Sequence, residues 1–157
     1  MSDNVYLGNP NLKKANTPIE FTQDQILEFM KCKEDPVYFA NNYIKIVSLD
    51  EGLTQFHPYH FQEKLINNFH GNRFNICKMP RQTGKSTTVV SYLLHYAVFN
   101  DSVNIGILAN KAATARELLG RLQTAYENLP KWMQQGIVAW NKGSLELENG
   151  SKILAAS

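Results

Sequence analysis

Phe74-Asn75-Ile76-Cys77-Lys78-Met79-Pro80-Arg81-Gln82-Thr83-Gly84-Lys85-Ser86-Thr87-Thr88 is the stretch on which the reading of this chain turns. An apolar, strand-like segment runs into a short loop, then Gly-Lys-Ser, then a run with helical periodicity. That order suits a nucleoside triphosphate. Backbone N–H groups of such a loop point inward at phosphate oxygens, and the helix N-terminus adds its dipole. The lysine reaches the β- and γ-phosphates, and the hydroxyl after it ligates Mg²⁺. Lys85 and Ser86 stand in those two places, with Pro80, Arg81, Gln82, Thr83, Gly84 and Thr87 completing the candidate cradle. The usual pattern has a first Gly five positions before Gly84, where this chain has Met79. A glycine there supports a tight backbone turn, so the loop must begin differently. The competing account is a solvated lysine on an ordinary strand-to-helix turn.

Around this stretch lie 157 residues, 43% of them hydrophobic, enough for one domain with a core of its own. Sixteen basic residues stand against 14 acidic ones, so net charge does not announce a nucleic-acid binder. Any DNA contact must come from a local patch. The concentration Lys111, Arg116, Arg121 and Lys131 is diluted by Glu117 and Glu127 and reads as a solvated helix face. Two cysteines, Cys32 and Cys77, read as small core hydrophobes. With cysteine this sparse, no N-terminal apolar run and no window long enough for a membrane span, the expectation is a cytosolic protein that meets no membrane.

In chain order, residues 1–18 are rich in Asn, Lys and Pro without periodicity and are expected to be a flexible arm. Residues 19–157 are expected to form one unit, with 19–72 as a lobe and 73–157 as the phosphate-loop core. Thr22 caps a helix with an apolar side of Ile26, Leu27, Phe29 and Met30. Asp35-Pro36 repeats the start signal, cap then proline, for a second helix. Lys45–Ser48 and Leu53–Phe56 alternate around Asp50-Glu51-Gly52, which predicts a hairpin. Another helix is expected over Pro58–Asn68, then strand Phe74–Lys78, the loop, and helix Ser86–Phe99. Val103–Leu108 has the look of a buried parallel strand. Asn110 is the expected cap of a long helix from about Ala112 to Asn128. Gly136–Trp140, Ser144–Leu147 and Lys152–Ala155 read as strands joined by turns at Asn141-Lys142-Gly143 and Glu148-Asn149-Gly150. Strand, loop, helix, strand, helix is a βαβ series. The expected fold is therefore α/β, a parallel sheet with helices on both faces behind an N-terminal lobe of helices and a hairpin.

A second signal lies upstream at Phe56-His57-Pro58-Tyr59-His60-Phe61-Gln62. A glutamine carboxamide gives and takes hydrogen bonds in one plane, which matches the edge of adenine, and Tyr59 or Phe61 offers a ring to stack on. ATP rather than GTP is the implied ligand. The competing account is an aromatic helix start buried in the core. His57 and His60 have no Cys or acidic partner spaced to complete a metal site. Arg81, two or three residues before the phosphate-binding turn, is placed to neutralise charge on a γ-phosphate. Alternatively it pairs with an acid on a neighbouring strand.

Pro80 to Val90 resembles the deviant Walker A of the large terminase subunits of tailed phages, most of all the T-even type. In that family the first Gly is commonly absent and an Arg stands where Arg81 does. The aromatic-x-x-Gln stretch and the run from Gly136 to Ser151 also resemble it, so the likeness extends from about Phe21 to the end of the chain. It implies a P-loop NTPase that hydrolyses ATP with Mg²⁺ to drive double-stranded DNA into a prohead in the host cytoplasm. Implied partners are a portal protein, a small terminase subunit and further copies in a ring, and such ATPases are usually fused to a nuclease domain. Residue by residue, Lys85 is implied to bind the β/γ-phosphates, Ser86 to hold Mg²⁺, Arg81 to act as a cis arginine finger, and Gln62 with Phe61 or Tyr59 to contact adenine.

That family places an apolar strand ending in Asp, followed by a catalytic Glu, after the Asn149-Gly150-Ser151 segment. No such run occurs here. The chain is therefore expected to be the first part of a terminase ATPase, its later strands missing and its hydrolysis weak or absent. Two other readings stay open: a superfamily 2 helicase-like translocase, and a non-catalytic module that docks on a portal or sister subunit.

Overall fold

Residues 4–157 are described in the computed structural model of the chain. Its first two helices form where local chemistry calls for them. Helix α1 (Gln23–Glu34) opens with a capping box: Gln25 N donates to Thr22 Oγ1 and Thr22 N donates to Gln25 Oε1. Helix α2 (Pro36–Tyr43) comes next, with Asp35 Oδ1 accepting from the amides of Val37 and Tyr38. Each cap satisfies donors that the first helical turn leaves without partners.

The expected hairpin is present as the antiparallel pair of Lys45–Ser48 and Gly52–Gln55, closed where Gly52 takes φ +69°. Helix α3 runs His60–Gly71, starting two residues later than expected. Helix α4 (Lys85–Phe99) begins directly at the lysine of the candidate cradle. Helix α5 (Ala112–Glu127) starts from Lys111 at its N-cap, so Asn110 is not the cap expected of it.

The central sheet corrects the expectation of parallel strands sandwiched between helices. Asn104–Leu108 pairs in parallel with Lys152–Ala156. The latter pairs antiparallel with Ser144–Leu147, which pairs antiparallel with Ile137–Trp140. The sheet is mixed because two short turns, at Gly143 and at Gly150 with φ +82°, fold the last three strands into a meander. Side chains alternate across it: Ile105, Ile107, Ile137, Leu145, Leu147 and Ile153 are buried, while Leu108, Val138 and Leu154 on the other face are exposed. Among the described residues helices cover one face only. There α5 packs on the two parallel strands and α4 packs on α5.

The second correction concerns Phe74–Lys78, expected as a strand. Among the described residues it joins no ladder. Phe74 is 84% exposed and Ile76 fully so, and Cys77, expected in the core, is exposed. An extended segment becomes a strand only when a partner edge takes its amides and carbonyls. The apolar pattern is present and the partner is not.

The third correction concerns the N-terminal arm. Residues 1–3 lie outside the described residues, but Val5–Tyr6 and Asn9–Lys13 pair as a hairpin docked on the rest of the fold. Leu12 is 2% exposed. Gln134 Oε1 accepts from Lys13 N, its Nε2 donates to Asn11 O, and Ala15 N donates to Ile137 O. The Glu148 carboxylate takes the amides of Asn16 and Gly136 and lies 3.5 Å from Lys13 Nζ. Burial works against its charge, but those two amides and Lys13 outweigh it and hold its pKa below the usual carboxylate range.

One further contact fixes the far end of α4. Asn149 Nδ2 lies 2.9, 3.4 and 3.2 Å from the carbonyl oxygens of Ala97, Val98 and Asn100, and Ser151 Oγ donates to Asn100 O at 2.7 Å. Gln135 Nε2 adds a bond to Val98 O. The Asn-Gly-Ser turn thus answers the carbonyls that a helix C-terminus leaves without partners.

Candidate functional site: the loop at the start of helix α4

The loop between Met79 and Gly84 is built around two residues with positive φ, Gln82 at +59° and Gly84 at +73°. The second is the residue that opens α4, and only glycine takes that conformation at no steric cost. Thr83 Oγ1 donates to Pro80 O at 3.0 Å. Lys85 folds back over the loop and donates to Met79 O at 2.6 Å. Its ammonium thus lies against the position where the missing first glycine would stand. Thr88, fully buried, ties the helix start together by donating both its amide and its hydroxyl to Gly84 O.

The remaining residues of the expected cradle are found close by in sequence but differ in setting. Ser86 is exposed on the first turn of α4, as are Pro80, Arg81 and Gln82 before it. Arg81 makes no hydrogen bond or ion pair among the described residues, so the neighbouring acid expected as its alternative partner is not there. Thr87 lies on a cleft of about 780 Å³ that it shares with Ile46, Val47, Gly120 and Arg121.

Tyr59 and Phe61 stand at the start of α3 as a stacked pair, ring centroids 5.9 Å apart and planes 11° from parallel. Both are exposed, Tyr59 at 72% and Phe61 at 44%. Their exposure sets aside the core account of this aromatic helix start. Gln62 is placed differently. It is buried, its Oε1 accepts from Tyr59 N at 2.8 Å, and its Nε2 donates to Thr83 O at 3.4 Å. The fold therefore brings the upstream motif and the loop into direct contact across 21 residues of sequence.

Sequence reading missed two participants, the Met79 carbonyl and the Thr88 hydroxyl. The second carried a signal, since a Thr four residues after the glycine lies one turn along the helix, where its hydroxyl reaches that carbonyl. The two histidines of the upstream motif have contacts of their own. His57 Nδ1 is 2.8 Å from Asn41 Oδ1, His60 lies 3.6 Å from Glu63, and no cluster of three metal-ligating side chains occurs among the described residues. Arg121 of the basic concentration is paired with Glu117 at 2.7 Å.

No helix of the described residues is long and apolar enough to cross a membrane. The family model described as terminase large subunit, T4likevirus-type, N-terminal, matches residues 76–157. The match starts within the extended segment and takes in the loop, α4, α5 and the whole central sheet.

Proposed function

Since the chain belongs to the T4likevirus-type N-terminal family of phage terminase large subunits, we propose that its loop and helix α4 hold ATP for a DNA-packaging motor. The observation that carries this reading is the start of α4, with Gly84 at φ +73° followed at once by Lys85 and Ser86. There the helix dipole, free first-turn amides and a lysine ammonium converge on one place, the arrangement an oligophosphate needs. Lys85 is already drawn to an oxygen, that of Met79, and a phosphate oxygen competes for the same donor with a full negative charge.

Arg81, exposed and unpaired among the described residues, is free to approach the terminal phosphate from the loop side. The Tyr59–Phe61 ledge offers π-faces to a base, with the Gln62 amide behind it. Mg²⁺ fits this donor set only as a passenger of the nucleotide. Ser86 supplies one hard oxygen, and phosphates and water supply the rest, as is usual for this ion. Bound there, it supplies charge neutralisation on the phosphates.

No Asp or Glu side chain hydrogen-bonds to the loop among the described residues, and accordingly no group here is assigned to polarise an attacking water. The expected behaviour is grip without rapid cleavage. Contacts with double-stranded DNA, portal, small terminase subunit and sister copies belong to the same proposal and rest on family membership.

Isothermal titration of the purified chain with ATP and Mg²⁺ tests the reading. Saturable binding lost in Lys85→Ala, with thermal melting unchanged, is the expected result. A Lys85→Ala chain that binds as well as the parent would overturn it. Rapid turnover by the parent chain would overturn only the expectation of grip without cleavage.

A further inference from the structure

Gln62 occupies the junction between α3 and the loop, and both ends of its carboxamide are engaged by the protein itself. At 3% exposure it is the most deeply buried residue of the upstream motif. Its contact with the loop is close. A Cβ added at Gly84 would lie 2.5 Å from Gln62 Nε2, well inside van der Waals distance. Glycine suits 84 by its φ, and a side chain there would displace the Gln62 amide from the loop.

The loop has few other supports. Its remaining hydrogen bonds, Thr83 Oγ1 to Pro80 O, Lys85 Nζ to Met79 O and the Thr88 amide and hydroxyl to Gly84 O, stay within the loop and the helix it opens. The segment leading into it joins no ladder among the described residues, so no sheet fixes that side. Among the described residues, the Gln62 bond to Thr83 O is the one hydrogen bond reaching residues 79–84 from outside the loop and α4.

We infer that Gln62 is a positioning residue for the loop, tying Thr83-Gly84 to the first turn of α3, and so acts on any oligophosphate the loop holds whatever base it carries. This rests on the triphosphate-binding reading above and alters the division of labour within it. Base preference falls to the exposed Tyr59–Phe61 ledge, and loop geometry to Gln62. The Tyr59 N to Gln62 Oε1 bond then has a role too: it fixes the amide plane, so that Nε2 faces the Thr83 carbonyl.

The test compares ATP, GTP and inorganic tripolyphosphate, each with Mg²⁺, by isothermal titration against the parent chain and Gln62→Met. Methionine fills a similar volume and removes the amide. Loss of one hydrogen bond of ordinary worth predicts weakening by about five- to tenfold for all three ligands alike, with the ATP-to-GTP ratio unchanged. Hydrogen exchange at residues 82–86 accelerates while residues 65–69 of α3 keep their protection. A loss confined to ATP, or an unchanged tripolyphosphate affinity, overturns the inference and leaves nucleotide binding standing. A parent chain that binds none of the three sinks both. Should Gln62→Met not fold, Gln62→Glu keeps the acceptor for Tyr59 N and places a carboxylate oxygen against the Thr83 carbonyl. Loop exchange in that variant, measured without ligand, is expected to rise, and an unchanged rate overturns the inference.

Discussion

The two ends of helix α4 are built to opposite specifications. At the carboxyl end Leu94, Ala97, Val98 and Phe99 are buried, and side chains of Gln135, Asn149 and Ser151 reach the terminal carbonyls. At the amino end the preceding loop is exposed over Pro80–Gln82 and is tied to the rest of the fold by Gln62. One helix is thus clamped at one end and presents its dipole at the other. Were the loop to hold the proposed triphosphate, it would need a rigid support and a rim that adjusts, and the low-stability end is where such adjustment is expected.

The largest effect on this contrast comes from the clamped end. Leu94 is fully buried between the helices, and Leu94→Ala leaves a cavity as well as losing transfer energy. A loss of about 3 kcal/mol in chemical denaturation is expected. A loss under about 1 kcal/mol would mean that α4 is not a packed strut.

Acid attacks the same region by another route. His95 is 1% exposed, its Nε2 lies 2.8 Å from Cys32 O, and its Nδ1 has no hydrogen-bond partner among the described residues. Burial pushes its pKa down to about 4, with nearby His70 adding to the effect and the Cys32 carbonyl opposing it. Between the ordinary value of 6.5 and about 4, the unfolded chain takes up a proton that the folded chain refuses. Stability from this group is therefore complete above the upper value and falls as pH drops through the window, by on the order of 3 kcal/mol in all. His95→Phe is expected to flatten that part of the pH–stability curve. An unaltered slope would place the acid sensitivity elsewhere.

These features differ in how far the sequence exposed them. Caps at Thr22 and Asp35 were legible because a cap and its helix lie within three residues of each other. The turns at Gly143 and Gly150 were legible too, and so the last three strands were. The parallel strand expected over Val103–Leu108 is present as Asn104–Leu108, but two other structures decided at long range defeated local reading. Residues 4–18 look like a tail until Gln134 and Glu148, more than 100 residues away, take their amides. Phe74–Lys78 has the apolar pattern of a strand, yet a pattern does not say whether an edge is there to pair with it. At the site, the Gly-Lys-Ser stretch and the aromatic-x-x-Gln motif were both found from sequence. The Gln62 bond to Thr83 was not, because it exists only once α3 is folded against the loop.

Asn149→Ala removes the side chain that spans three carbonyls at the end of α4; Ala97 O loses its side-chain donor, while Val98 O keeps Gln135 and Asn100 O keeps Ser151. A loss of about 1–2 kcal/mol is expected, in line with removal of a buried hydrogen-bond donor. It sharpens the comparison if hydrogen exchange rises at the carboxyl end of α4 while triphosphate affinity holds. If affinity falls together with stability, the two ends are mechanically coupled and the loop depends on its distant clamp.

The smallest stability effect belongs to the segment that leads into the loop. Ile76 is fully exposed and in no ladder, so Ile76→Ser removes no native packing. Stability within about 0.5 kcal/mol of the parent is expected, as for other surface changes. Association is a different matter. Phe74 and Ile76 present apolar side chains on a backbone that joins no ladder among the described residues, the kind of edge on which chains pair with one another. Sedimentation velocity across a concentration series is expected to show self-association in the parent chain and less of it in Ile76→Ser. Were the substitution instead to cost several kcal/mol, Ile76 would be buried in solution. The amino end of α4 would then have a sheet behind it, and the contrast with its clamped carboxyl end would disappear.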